Sequence, residues 1–195
     1  TWNSIAYYYD VGFQELKDAN QHVRSLSSYR GKVLIIPSFY ILPEKNLRNG
    51  IVVNLAEKRL YFFLDSTTVV TYPVSVGKSG WETPAFKGYV VRKKVGPTWY
   101  VPKSIKKYYI AKYNKVLPSS VPPGPNNPLG NYAIYLSKRG ILIHGTNNEL
   151  TIGRSISSGC IRMYNRNIQE LYYLVNVKTP VYFVNKDEKV GLLGN

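Results

Sequence analysis

Only one cysteine, Cys160, and two histidines, His22 and His144, occur in the 195 residues. A single sulfur excludes an intramolecular disulfide and a multi-cysteine metal site. Two imidazoles leave too few ligands for a histidine-built centre, so neither metal nor cofactor is expected. Long apolar runs are missing as well. The longest, such as Val33-Leu34-Ile35-Ile36, fall far short of the roughly 20 residues that span a bilayer. No apolar stretch behind a basic one opens the sequence, so an export signal is not expected within it. Negative charge is scarce: Lys+Arg 26 against Asp+Glu 11 leaves a net +15. No Asp or Glu lies between Thr83 and Asn148, where Lys87, Arg92, Lys94, Lys107, Lys138 and Arg139 all fall. A field of that sign attracts carboxylate- or phosphate-rich partners. Yet no zinc-finger spacing, aromatic RNP signature or GXXG loop organises nucleic-acid binding, and nucleic acid is not expected. On composition alone a solvated basic face and a binding groove are both open.

What is present is hydrophobic content of 44% with 19% charged residues, enough to exclude charge-driven disorder and to build a core without staples. Residues 1–43 read as a small module of helix, turn, helix and a short buried strand at 33–37, and 44–50 as a polar connector. From residue 51 the period changes to two. Residues 51–55 and 60–64 flank a turn as a hairpin, and further strands are expected at 69–76, 88–95, 132–136, 141–144 and 180–184. One helix is expected in this half, with Ile168, Leu171, Tyr172 and Val175 on one face and Asn165 as N-cap. The expected fold class is mainly β, a sandwich with one packed helix over 51–186, preceded by a small α+β module. Residues 187–195 form a tail. Residues 97–130, rich in proline and without a period, read as a flap or as a stiff surface excursion.

The chemistry concentrates between Ile141 and Met163. His144 ends an apolar strand, and Cys160 follows Gly159 in a turn before the expected helix. The thiolate is the reactive form of cysteine, and a Cys–His pair is one way to generate it. Gly159 permits a tight turn whose N–H groups, with that of Cys160, can face an oxyanion. Arg162 supplies a fixed charge for a substrate carboxylate, and a backbone carbonyl near Gly145 is expected to orient His144. On the residues alone, the bland readings stay open: Cys160 as a small buried hydrophobe, His144 as a structural imidazole and Arg162 paired with a carbonyl.

The segments His144-Gly145-Thr146, Ile152-Gly153-Arg154 and Ser157-Ser158-Gly159-Cys160-Ile161-Arg162-Met163 resemble the signature of L,D-transpeptidases with the YkuD-type catalytic domain. Residues 51–61, Val76-Gly77-Lys78 with Glu82-Thr83-Pro84, Pro97-Thr98-Trp99, and 122–130 extend the resemblance to the ErfK/YbiS branch. Residues 1–37 are similar to a LysM module that lacks its first strand. The resemblance implies a periplasmic, exported peptidoglycan L,D-transpeptidase of Gram-negative type. In it Cys160 is the nucleophile, His144 the base, Gly145 the orienting carbonyl and Gly159 an oxyanion donor. Arg162, Ser157, Ser158, Thr146 and Trp99 would contact substrate. Cys160 would form a thioester with the diaminopimelate carbonyl of a tetrapeptide stem, releasing D-Ala. The acyl group would then pass to a second stem's amine or to an envelope protein. Many members carry Ser-His-Gly-Cys where this chain has Ser158 before Gly159. A hydrolase on the same fold and a non-catalytic peptidoglycan-binding module are the alternatives; oligomeric state is not legible.

Overall fold

The computed structural model describes residues 1–191. Two short helices, α1 (Trp2–Tyr8) and α2 (Phe13–Asp18), open the chain. Strands β1 (Gly50–Asn54), β2 (Arg59–Phe63), β3 (Val69–Pro73), β4 (Val76–Gly77), β5 (Phe86–Val95) and β6 (Trp99–Tyr100) follow. Helix α3 (Lys103–Tyr113) leads to β7 (Ser120–Val121), β8 (Tyr132–Leu136), β9 (Leu142–His144), β10 (Ser155–Ser157) and β11 (Ile161–Arg162). Helix α4 (Asn165–Leu174) and β12 (Pro180–Val184) complete the fold. Eight strands make one mixed sheet in the order β11-β9-β8-β5-β12-β1-β2-β3, while β10-β4 and β6-β7 form two small ribbons. The mainly β architecture expected from the period-two pattern is what forms.

Strand alternation explains the layers. Ile51, Val53, Leu60, Phe62, Val181 and Phe183 face the same side as Ile134, Ile143 and Ile161, and Ile168 and Leu171 of α4 pack into that core. The intervening residues Val52, Tyr61 and Phe63 are also buried, beneath Tyr40, Leu42 and Leu47. The end of the N-terminal module and the start of the connector therefore cover one end of the sheet together. The strand expected over 69–76 is two: β3 ends at Pro73, and Ser75 leaves to exchange backbone bonds with Arg162 at 2.9 and 3.0 Å. That departure clamps β11 in place.

Three other expectations change. No strand forms at 33–37, where Val33 is 85% exposed. No neighbouring strand is available there, and buried Asn20 bonds the Ile35 N–H and C=O through its side chain instead. The helix α3 inside the proline-rich segment was not expected. It buries no residue, so no apolar stripe marks it in the sequence. Asn165 is the first residue of α4 rather than its N-cap, which is Tyr164. Of the tail expected over 187–195, residues 192–195 lie outside the described residues. No described helix is long and apolar enough to cross a membrane.

The N-terminal helices dock on the sheet domain through specific polar contacts. Glu15 reaches the buried Arg59 at 2.5 Å, Asn167 Nδ2 donates to Asp10 at 2.8 Å, and the Tyr164 hydroxyl donates to the Val11 carbonyl. Phe13 N–H bonds to the Ile152 carbonyl. Gly153 makes that approach possible: at φ +83°, a Cβ there would lie 2.3 Å from Phe13 N.

Candidate active site

Strands β9 and β11 run parallel with Ile143 opposite Ile161 and His144 opposite Arg162. Both isoleucines enter the core, so His144 and Arg162 face the other side of the sheet. Cys160, two residues before Arg162, continues on that face, level with Leu142 and diagonal to His144. The backbone thus assembles thiol, imidazole and guanidinium on one side of two short strands. His22, by contrast, is exposed in the N-terminal module and bonds the Tyr29 hydroxyl.

His144 is 3% exposed, and its Nδ1 lies 2.7 Å from the Gly145 carbonyl oxygen. A carbonyl only accepts, so Nδ1 of the neutral ring carries the proton and Nε2 keeps its lone pair. Burial, reinforced by the Arg162 charge and opposed by the Gly145 carbonyl, pushes the His144 pKa down to about 3. The Cys160 thiol is half-buried and donates to the Gly140 carbonyl at 3.4 Å. Burial raises its pKa, against the lowering effect of the Leu142 backbone and Arg162. At neutral pH the resting pair is therefore a thiol and a neutral imidazole rather than an ion pair.

Arg162 has no carboxylate partner among the described residues, and its buried Nε makes no hydrogen bond. Burial pulls its pKa down, while Cys160 and Tyr109 favour its charge. Tyr109 belongs to α3, which brings the flap beside the guanidinium. The same helix rests on the β4–β5 turn: Lys78 Nζ donates to the Tyr108 hydroxyl at 3.2 Å, and Trp81 meets the Tyr108 ring edge-on. Hydrogen bonds from Lys112 and Lys78 lower the Tyr108 pKa to about 8.

The turn that carries the cysteine is held from within and from outside. Ser157 Oγ donates to the Cys160 carbonyl and accepts the Gly159 N–H at 3.2 Å. Thr83 Oγ1 donates to the Gly159 carbonyl at 2.9 Å and accepts the Gly77 N–H. Gly159 itself sits at φ +103°, a conformation that favours glycine. These bonds alter two expectations. The buried Ser157 hydroxyl builds the turn, its proton given to the Cys160 carbonyl and one lone pair taken by the Gly159 N–H. The Gly159 N–H, expected to face an oxyanion, is engaged by that hydroxyl.

Thr146 is likewise buried, its hydroxyl exchanged with Asn148 N and O, so it shapes the loop after β9. Ser158 is exposed beside the thiol turn. Trp99 is half-buried in the β6–β7 ribbon, opposite Val121, and belongs to the flap. Two residues to which sequence reasoning gave no such role hold the imidazole loop. Asn165 accepts from Thr146 N–H at 3.0 Å and donates to Thr146 C=O at 2.9 Å. Glu149 accepts the Asn165 N–H at 2.7 Å, at the first turn of α4. Asn165 was legible only as a helix-start residue, and nothing local distinguishes a cap from a clamp.

Residues 48–183 match the YkuD model, described as an L,D-transpeptidase catalytic domain. The chain is 41% identical over 191 residues to the probable L,D-transpeptidase ErfK/SrfK of Salmonella typhimurium, covering 97% of this chain and 61% of that protein. It is 30% identical to the putative L,D-transpeptidase YkuD of Bacillus subtilis, covering 93% of this chain and 92% of that one. A solved L,D-transpeptidase in complex with imipenem shares the fold at TM-score 0.54 and 18% identity, over 70% of this chain and 59% of that one. The chain spans about three-fifths of the length of ErfK/SrfK-type relatives.

Proposed function

The chain belongs to the L,D-transpeptidase family that carries the YkuD catalytic domain, and from that membership we propose that it crosslinks or decorates peptidoglycan through a Cys160 thioester. The observation that carries the reading is the Nδ1–H to Gly145 C=O bond of His144, because it leaves Nε2 unprotonated on the face shared with Cys160. In this mechanism Nε2 takes the thiol proton as sulfur attacks the diaminopimelate carbonyl of a tetrapeptide stem. Arg162 binds a stem carboxylate and favours the thiolate over the thiol. The Cys160 N–H donates to the oxyanion, joined by Gly159 once Ser157 releases it. The imidazolium then gives its proton to the departing D-alanine amine, leaving a thioester. An incoming amine attacks that thioester and passes its proton to Nε2, and the sulfur leaves and is reprotonated by the imidazolium. The flap shields the thioester from water, which favours amine transfer.

The acyl acceptor is the diaminopimelate amine of a second stem or a lysine of an envelope protein, and the compartment is the periplasm. The LysM-like residues 1–43 act in this reading as a packing partner, supported by the Glu15–Arg59 and Asp10–Asn167 contacts. The test is incubation with purified tetrapeptide stems, with and without a lipoprotein acceptor, followed by product mass analysis. Dimers or stem-linked protein support transfer, and free tripeptide alone makes the protein a hydrolase. In parallel, imipenem is expected to add its mass at Cys160. An unmodified protein, with full activity in Cys160→Ala, would overturn the mechanism.

A further inference from the structure

On the face of the sheet that carries the thiol, Ala133 and His144 are buried, Leu142 and Tyr135 are half-buried, and Arg92 and Lys94 are exposed. Leu142, Tyr135 and Arg92 are cross-strand partners in a line over β9, β8 and β5. Cys160, level with Leu142, extends the line to β11. His144, Ala133 and Lys94 make the adjacent line. Five residues before Arg92 on the same strand, Lys87 stands opposite Tyr182 of β12. At about 4.8 Å per strand, Arg92 lies roughly 14 Å from Cys160 along this row.

A defect in the ladder places these cations here. The register shifts between Val90 and Arg92, so Val90 stays in the core while Arg92 and Lys94 face outward with Tyr135. In an unbroken strand Arg92 would share the face of Val90 and point inward. The Arg92 guanidinium stacks 3.8 Å above the Tyr135 ring, and Lys87 Nζ sits 5.5 Å above that of Tyr182. Lys87, Arg92 and Lys94 are exposed, and none forms an ion pair among the described residues. Stacking holds the guanidinium while leaving its N–H fork free for a carboxylate.

We infer that this row is a binding track for the anionic peptidoglycan strand that carries the acyl-donor stem. Carboxylates of that strand fall on Arg92, Lys94 and Lys87, and the row leads the reacting stem to Cys160. The inference rests on the transpeptidase reading and adds to it a preference for polymer over isolated stems. No carboxylate from residues 83–148 competes for the track, and charge complementarity selects the occupant.

The experiment uses the full chain and the exposed-site variant Arg92→Glu/Lys94→Glu, with Arg92→Gln/Lys94→Gln as a milder form. Substrates are soluble glycan strands with free stem carboxylates, the same strands amidated, and a single tetrapeptide stem. KM for the free-acid strands is expected to rise roughly 5- to 30-fold in the Glu variant. kcat, imipenem acylation and KM for the single stem are expected to stay within about twofold of wild type, since the catalytic groups are untouched. The wild-type preference for free-acid over amidated strands should shrink as salt rises. An unchanged KM for free-acid strands, or an equal rise for amidated strands, overturns the track. So does a gel shift of nucleic acid that the variant loses while its sacculus binding persists. If wild-type protein forms no thioester and no product, the transpeptidase reading fails separately. Sacculus pull-down of wild type against variant still decides the track in that case.

Discussion

Lowering the pH should destabilise this protein through His144 by an amount that can be worked out. The ring is 3% exposed and its pKa is held at about 3, against about 6.5 for an unfolded histidine. Below pH 6.5 the unfolded chain takes up a proton that the folded chain refuses until about pH 3. The stability tied to His144 is therefore complete above pH 6.5 and is lost as pH falls through that window. At roughly 1.36 kcal/mol per unit, acidification to pH 4 removes about 3 kcal/mol. Urea unfolding of the wild type and His144→Gln at pH 7, 5 and 4 isolates the effect. Carboxylates and His22 are common to both proteins, and a glutamine amide can still donate to the Gly145 carbonyl. Wild type should lose about 3 kcal/mol more than the variant between pH 7 and pH 4. Parallel stability profiles would refute the buried neutral imidazole, and with it the assignment of a free Nε2.

Three further outcomes are expected. Iodoacetamide labelling of Cys160, followed by intact mass, should be slow at pH 7 and accelerate at alkaline pH beyond the ordinary thiol range. Arg162→Met should push that profile higher still, since the guanidinium favours the thiolate. Glu15→Ala strands the 1%-exposed Arg59 without its partner and should cost about 3–5 kcal/mol in urea unfolding, much of it recovered in Glu15→Ala/Arg59→Met. Lys93→Met removes two 2.6 Å hydrogen bonds to the carbonyls of Tyr172 and Val175 at the end of α4. It should lower stability by about 2 kcal/mol with imipenem acylation retained, because Lys93 faces away from the thiol.

Much of the fold and of the candidate site is legible in the sequence. The alternation in residues 51–64, the run 180–184 and the i, i+3, i+4, i+7 spacing from Ile168 are local hydrophobic periods, and each element formed where its period lay. His144 at a strand end, Gly159 before Cys160 and Arg162 two residues on were visible because tight turns and strand faces impose short-range rules. The residues 33–37 carried the same kind of apolar run and formed no strand. A strand needs a partner for its backbone groups, and Asn20 took that place. Helix α3 escaped notice for the opposite reason, having no buried face to leave a pattern. Whether the hydroxyls of Ser157 and Thr146 are free or already bonded depends on neighbours folded back onto them, which no local pattern carries. The sequence by itself determined most strands from residue 51 onward, the residue types available to the candidate site and their charge, since these follow from side-chain type and spacing. Only the tertiary structure decided that Asn165 clamps the imidazole loop, that Arg162 is half-buried with no carboxylate partner among the described residues, and that a one-residue shift in β5 turns Arg92 and Lys94 towards the thiol's face. Register, burial and hydrogen-bond satisfaction are properties of pairs of segments, and no single segment carries them.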